Sequence, residues 1–263
     1  MTLAQDAGME IVDYLLSAEK ERREVVKVTE KYPDLTFAEA YVIQEKLLER
    51  KEQEGARRMG LKLGLTSKAK QEMMGVHEAI YGYLTDDMLV PEWQPLSTGQ
   101  LIHPKAEPEM AFFIGEDLQG TGITAEDVLA VTRYVAAAIE VIDSRYLDFK
   151  FTLADVIADN CSSARFVVGS KWVSPVGLDL ANLGVVMSKN GEVATVGAGA
   201  AVLGHPATSV AWAVNKLGEQ GKGLRKGQIV LSGALTEAIA FEAGDHISVA
   251  VDGLGSVSLS CRE

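Results

Sequence analysis

The chain has 263 residues, 47% hydrophobic and 24% charged, a balance that suits a folded globular protein and excludes disorder as its main state. Twenty-five basic against 37 acidic side chains leave a formal charge of −12, which excludes phosphate-backbone binding, since that needs a basic face. Two cysteines, Cys161 and Cys261, exclude a disulfide framework or a Cys-rich zinc site and favour a reducing, cytoplasmic setting.

Residues 1–56 are charged, poor in glycine and helix-like. Met9, Tyr14, Leu15 and Leu16 give a first helix one apolar side. Asp6 and Glu10, with no basic residue before them, do not read as a secretory signal. Thr36 and Glu39 have the spacing of a capping box, and Phe37, Tyr41, Leu47 and Leu48 follow at helical spacing, predicting a helix over 37–54. Near Gly60 the texture changes to short apolar runs between glycines. Met110–Ile114, Arg165–Val168, Gly184–Met187, Gln228–Leu231, His246–Val251 and Ser256–Ser260 read as strands, with Asp252-Gly253 as a turn signal between the last two. Helices are predicted from Ala125 to about Ile139, behind Thr124 as N-cap, and over about Ala207–Glu219. Strands outnumber helices after residue 100 without βαβ alternation. The expected fold class is therefore α+β, a mixed, mostly antiparallel β-sheet roll behind an N-terminal helical segment. No apolar run approaches the ~20 residues needed to cross a bilayer.

Several motifs are absent. Gly197-Ala198-Gly199-Ala200-Ala201-Val202 starts like a dinucleotide loop but lacks the third glycine. There is no P-loop, G-x-S-x-G or H-E-x-x-H sequence, and the four histidines, His77, His103, His205 and His246, have no local ligand spacing.

The informative segment is His103-Pro104-Lys105-Ala106-Glu107-Pro108-Glu109, leading into an apolar strand. Residues two apart on an extended backbone face the same way, so Glu107 and Glu109 are expected side by side, with Pro108 favouring extension of its neighbour. Paired carboxylates repel unless a proton or cation lies between them, and Mg²⁺ is a natural oxygen-bound partner. The same pattern also fits an acidic strand edge. Glu140 is a third acid, embedded in Ala136-Ala137-Ala138-Ile139-Glu140-Val141-Ile142, where burial is costly without a partner; an exposed helix end is the alternative. Lys62 is isolated in Gly60-Leu61-Lys62-Leu63-Gly64-Leu65-Thr66. A partly desolvated ammonium there has a lowered pKa suited to proton transfer, whereas a snorkelling lysine does not. Asp143, Ser144, Arg145 and Tyr146, with Lys150 and Asp159–Ser163, concentrate polar groups after Glu140. Arg145 or a hydroxyl suits a substrate carboxylate, and a plain polar loop fits equally.

At these residues the chain resembles the fumarylacetoacetate hydrolase superfamily, within it the hydratase/decarboxylase family of catechol meta-cleavage pathways. The resemblance runs from about Val28 to Gly255. It is carried by the Lys62 and Glu107/Glu109 segments, Ala158-Asp159-Asn160, Leu203-Gly204-His205-Pro206 and Gly253-Leu254-Gly255-Ser256-Val257. Glu140-Val141-Ile142-Asp143-Ser144-Arg145-Tyr146 with Phe149-Lys150-Phe151, and Thr236 after Ser232-Gly233-Ala234-Leu235, look like its decarboxylase branch. The resemblance implies Mg²⁺ or Mn²⁺ at Glu107, Glu109 and Glu140. It also implies decarboxylation of 2-oxohex-3-enedioate to 2-hydroxypenta-2,4-dienoate, with hydration of that dienoate or acylpyruvate hydrolysis as alternatives. Lys62, Asp143 and Arg145 are the expected catalytic residues, and Leu65, Ser162 and Thr236 the expected substrate contacts. A homo-oligomer, and association with the partner hydratase, are further implications. Residues 1–74 are expected to form the helical segment and a lid (around 60–75), and 75–263 the catalytic roll.

Overall fold

A computed structural model describes residues 5–68, 71–72 and 75–263. The N-terminal part opens with α1 (Gln5–Glu21) and α2 (Phe37–Gln53). The capping box forms as expected: the Glu39 N–H donates to Thr36 Oγ1, and the Thr36 N–H donates to the Glu39 carboxylate. Ile11, Val12 and Leu15 of α1 meet Ile43 and Leu47 of α2 in a core of their own, closed by Tyr146 and by Val156 and Ile157 of the short helix α4 (Leu153–Ala158).

Fourteen strands form among the described residues. They are β1 (Arg58–Gly64), β2 (Ile80–Thr85), β3 (Leu96–Ser97), β4 (Lys105–Ile114), β5 (Leu118–Gln119), β6 (Thr132–Ile142), β7 (Ser163–Val168), β8 (Gly184–Lys189), β9 (Glu192–Ala198), β10 (Gly223–Leu224), β11 (Ile229–Leu231), β12 (Ile239–Ala240), β13 (His246–Val251) and β14 (Gly255–Arg262). One sheet runs β2-β1-β11-β4-β6-β7, with β12 added beside β4; a second runs β3-β14-β13-β8-β9. Among the strands of the described residues only β1–β11 and β14–β3 pair in parallel, so the sheets are mixed and mostly antiparallel, as expected. Beside them stand α3 (Ala125–Val131) and α5 (Pro206–Gly218).

Alternation along β4 and β6 gives the first sheet two distinct faces. Ala106, Met110, Phe112, Ala137, Ile139 and Val141 point into the main core against Val249, Val257 and Leu259 of the second sheet. The opposite face carries Ala111, Ala138, Phe166 and Leu231 at one end and the acidic residues at the other.

One expectation is corrected. The helix predicted over 125–139 ends at Val131, and 132–142 is β6. Its alanine run favours helix locally, but as a strand hydrogen-bonded between β4 and β7 it is buried on both faces, where small side chains pack closely. The segment expected as a lid is divided: 60–64 lies within β1, locked between β11 and β2, while Ala69, Lys70, Met73 and Met74 lie outside the described residues. The glycine run at 197–202 ends β9, and there a Cβ on Gly199 would stand 1.8 Å from the Leu180 carbonyl oxygen, so its glycine serves packing.

Candidate active site: a buried carboxylate triad

Strand register assembles the acids. Glu107 on β4 lies directly across from Glu140 on β6, and Glu109 follows two residues on, across from Ala138. All three therefore leave the sheet on one face, and their carboxylate oxygens come within 4.8 Å of one another. Glu109 and Glu140 are fully buried and Glu107 nearly so.

Lys62 reaches this cluster from β1. Its Nζ lies 3.0 Å from Glu140 Oε1 and donates to the Cys161 carbonyl at 3.1 Å. Ser163 Oγ donates to the same Glu140 oxygen, and the Gly233 N–H donates to Glu109 Oε2 at 2.7 Å. Gly233 is at φ +110°, and a Cβ there would stand 2.0 Å from Thr66 Oγ1, so only glycine brings this amide onto the carboxylate.

Burial pushes the Glu109 carboxyl well above the usual range; the charge on Glu140 adds to this, and Lys62 offsets part of it. Glu140 is raised by burial too, against the pull of Lys62. The lowered pKa expected for Lys62 is corrected. Burial does favour its neutral form, but the charges led by Glu140 outweigh burial and hold the ammonium above its ordinary value. Nor does Lys62 snorkel, being only 3% exposed.

The triad fits a hard divalent cation on its own evidence. Glu109 Oε1 and Glu140 Oε2 are buried oxygens without a hydrogen-bond partner among the described residues. Carboxylates held this close together repel one another, and their all-oxygen donor set would be relieved by binding Mg²⁺ or Mn²⁺.

Beside the triad lies a cavity of about 310 Å³. Lys62, Thr66, Lys105, Glu107, Ser162 and Glu237 supply its polar lining, and Leu65, Ile80, Ile142, Phe149, Phe151 and Val156 its apolar wall. Ser162 Oγ is buried and has no hydrogen-bond partner among the described residues. Asn160, Cys161 and Ser162 all have positive φ, between 47° and 57°. This unusual turn is pinned by Asn160, whose side chain accepts from the Tyr83 N–H and donates to the Tyr83 carbonyl, and it aims the Cys161 carbonyl at Lys62. The Cys161 thiol donates to the Tyr81 carbonyl, and burial pushes its pKa up to about 12, so it stays protonated and is no nucleophile.

The remaining expected residues fall elsewhere. The Asp143 carboxylate accepts from the Ile102 and His103 N–H groups, tying down the entry to β4. Arg145 pairs with Asp159 in the interior and donates to the Asp143, Asp159 and Ser163 carbonyls. Neither side chain lines the cavity. Burial raises Asp159 to about 6 against the pull of Arg145, so the pair is ionised at neutral pH. Thr236 Oγ1 is 2.8 Å from Thr195 Oγ1, and only its neighbours Ala234, Glu237 and Ala238 reach the lining. Sequence reasoning passed over the Gly233 amide, which no side-chain pattern announces, and Lys105, whose same-face spacing with Glu107 was a usable signal.

A sequence model described as Fumarylacetoacetate (FAA) hydrolase C-terminal matches residues 57–260. The chain belongs to this family. It is 47% identical over 257 residues to 4-oxalocrotonate decarboxylase of Pseudomonas sp. (strain CF600), an alignment covering 98% of this chain and 97% of that one. It is 41% identical over 251 residues to 2-hydroxyhexa-2,4-dienoate hydratase of Comamonas testosteroni, covering 95% of each. Among solved structures it resembles 4-oxalocrotonate decarboxylase from Pseudomonas putida G7 complexed with magnesium and adipate, with a TM-score of 0.96, 44% identity and 99% coverage of both chains.

Proposed function

We infer that this chain is a magnesium-dependent carboxy-lyase that converts 2-oxohex-3-enedioate (4-oxalocrotonate) to 2-hydroxypenta-2,4-dienoate and CO₂, in the meta-cleavage degradation of aromatic compounds. The observation that carries this reading is the buried triad Glu107, Glu109 and Glu140, beside a largely apolar cavity, in a chain so similar throughout to a decarboxylase solved with magnesium.

In the reaction the C5–C6 bond breaks and its electron pair forms C4=C5. The C3=C4 pair moves to C2=C3, the C2 oxygen takes the charge and then a proton, and C6 leaves as CO₂. A divalent cation held by the triad supplies Lewis-acid stabilisation for the charge at the C2 oxygen. Lys62 stands next to Glu140 with its ammonium protonated, and we assign it the proton or hydrogen bond that this oxygen receives. The Cys161 carbonyl and Glu140 hold Nζ in place for that task. Ser162 Oγ, buried on the lining without a hydrogen-bond partner among the described residues, and the backbone at Leu65, which has φ +53°, are the proposed substrate contacts. Asp143 and Arg145 act as positioning residues: they fix the entry to β4 and the turn that carries Ser162 and Ser163. Thr236 braces the loop that brings Ala234 and Glu237 to the cavity. The apolar wall disfavours the ionised C6 carboxylate relative to neutral CO₂.

The enzyme is further proposed to act as a homo-oligomer, in company with the hydratase that consumes its product. Two buried free thiols suit a reducing cytoplasm, and no helix among the described residues is long and apolar enough to cross a membrane. Acylpyruvate hydrolysis is less well supported, because it needs an activated water. The His103–Glu24 pair, at 2.8 Å, has the right chemistry but is not part of the cavity lining.

The test is CO₂ release from 2-oxohex-3-enedioate with Mg²⁺, run beside loss of dienoate absorbance in the same buffer. Metal-dependent CO₂ release supports the reading. Dienoate loss without CO₂ release makes the chain a hydratase.

A further inference from the structure

Lys105 follows the alternation of β4, so it leaves the sheet on the face that carries Glu107 and Glu109. It is half-buried and lines the cavity beside Phe149 and Ile142 of the apolar wall. Its Nζ stands 4.1 Å above the centre of the Phe149 ring, and no carboxylate of a described residue pairs with it. The shelf beneath it is built at a cost. Asp148 and Phe149 both have positive φ, 55° and 60°, a conformation non-glycine residues rarely adopt. The Asp148 N–H donates to Glu24, and the Phe149 ring packs on His103.

The chemistry of a diacid gives this cation a task. The end that carries the 2-oxo group belongs at the triad, so the distal carboxylate needs a partner elsewhere on the lining. Lys62, held by Glu140 and the Cys161 carbonyl, is assigned to the C2 oxygen at the other end of the substrate. Among the described residues, Lys105 and Lys62 are the cations on the cavity lining, beside the carboxylates of Glu107 and Glu237. The spacing also fits. Two residues along a strand cover about 6.6–6.8 Å, and the end carbons of an extended six-carbon diacid, joined by five bonds of about 1.5 Å, stand about 6–7 Å apart.

We propose that Lys105, seated on Phe149, binds the carboxylate of the substrate distal to the 2-oxo group, and so selects six-carbon diacids over monoacids. This rests on the decarboxylase reading above. The contact belongs to the ground state, since the carboxylate it holds departs as a neutral molecule. It therefore lowers KM without raising kcat.

The experiment compares wild type with Lys105→Met and Lys105→Arg in Mg²⁺ by calorimetry, using adipate, hexanoate and oxalate as probes. Lys105→Met is expected to weaken adipate by about tenfold or more while hexanoate and oxalate stay within twofold, and Lys105→Arg to restore adipate. With the diacid substrate, Lys105→Met is expected to raise KM by a similar factor at undiminished kcat. Equal weakening of adipate and oxalate, or no weakening of adipate, overturns the proposal. Should Lys105→Met not fold, Lys105→Gln and Lys105→Arg give the same comparison. A wild type that binds adipate through Lys105 but releases no CO₂ refutes the decarboxylase reading and leaves the diacid site standing.

Discussion

Replacing Glu109 with Gln separates a metal ligand from an ordinary buried acid. Glu109 lies within 4.8 Å of both Glu107 and Glu140, and two unit charges at that distance repel by about 3.5 kcal/mol at an effective dielectric near 20. With its pKa raised by burial and by Glu140, wild-type Glu109 either bears these repulsions or takes up a proton to escape them; the substitution removes that cost and forfeits one attraction, to Lys62. Its side-chain carbonyl still accepts the Gly233 N–H that now reaches Oε2. In EDTA the variant should therefore be more stable than wild type, by about 1–3 kcal/mol after structural relaxation, or several degrees in Tm. Magnesium reverses the order. At a hundredfold excess over its Kd, a ligand that binds only the folded state adds about 2.7 kcal/mol, and Glu109→Gln should lose most of that shift together with turnover. Thermal melts in EDTA and in a Mg²⁺ series, with CO₂ assays on the same samples, read both effects. A variant that melts below wild type in EDTA, or keeps the full Mg²⁺ shift, refutes the ligand assignment.

Other substitutions probe the surrounding parts. Lys62→Ala should lower kcat by about 10²–10⁴-fold with a smaller change in the Mg²⁺ midpoint; a change confined to thermal stability would make Lys62 structural. Arg145→Met strands the buried Asp159 carboxylate and should cost about 3–5 kcal/mol in urea unfolding, far more than a surface arginine would. Acid stability has a separate signature at Asp245. It accepts from Lys189, Asn190 and the Glu242 N–H, which lower its pKa from 3.8 to about 2. A depressed acid stabilises the fold above its unfolded pKa, and that contribution is lost as pH falls from about 4 towards 2. Asp245→Asn should be less stable than wild type at neutral pH, with the gap closing over that window in acid-unfolding curves.

The triad was legible because its signals are local. Spacing of i and i+2 fixes a shared face on any strand, and a lone acid in an apolar run needs a partner wherever it is buried. The secondary structure around Glu140 was not legible, since three consecutive alanines favour helix until β4 and β7 flank them. The role of Lys62 was half visible: isolation among apolar residues announced burial, but the sign of its pKa shift depends on Glu140, 78 positions away and unreadable without the β4–β6 register. Asp143 and Arg145 have the composition of a binding loop, yet Asp143 is taken up by backbone N–H groups and Arg145 by backbone carbonyls and the buried Asp159 carboxylate, partners that composition does not encode.

The cavity asks two opposed things of the distal carboxylate, and they predict opposite changes in kcat. Ile142 stands directly across from Lys105 in the β4–β6 register and lines the same cavity, so a carboxylate at Lys105 also meets an apolar wall. The cation holds the ground-state charge, while the wall favours its loss as CO₂. Ile142→Gln adds a hydrogen-bond donor for the ionised carboxylate and should lower kcat severalfold, with KM unchanged or lower. Lys105→Met removes ground-state stabilisation and should leave kcat level or raised. Both variants keep the triad, so neither should move the Mg²⁺ midpoint. Steady-state kinetics on the two variants, with Mg²⁺ titrated independently, decides the matter. If kcat falls in both, the wall and the cation do not act on the same carboxylate, and its place in the cavity must be sought elsewhere along the lining.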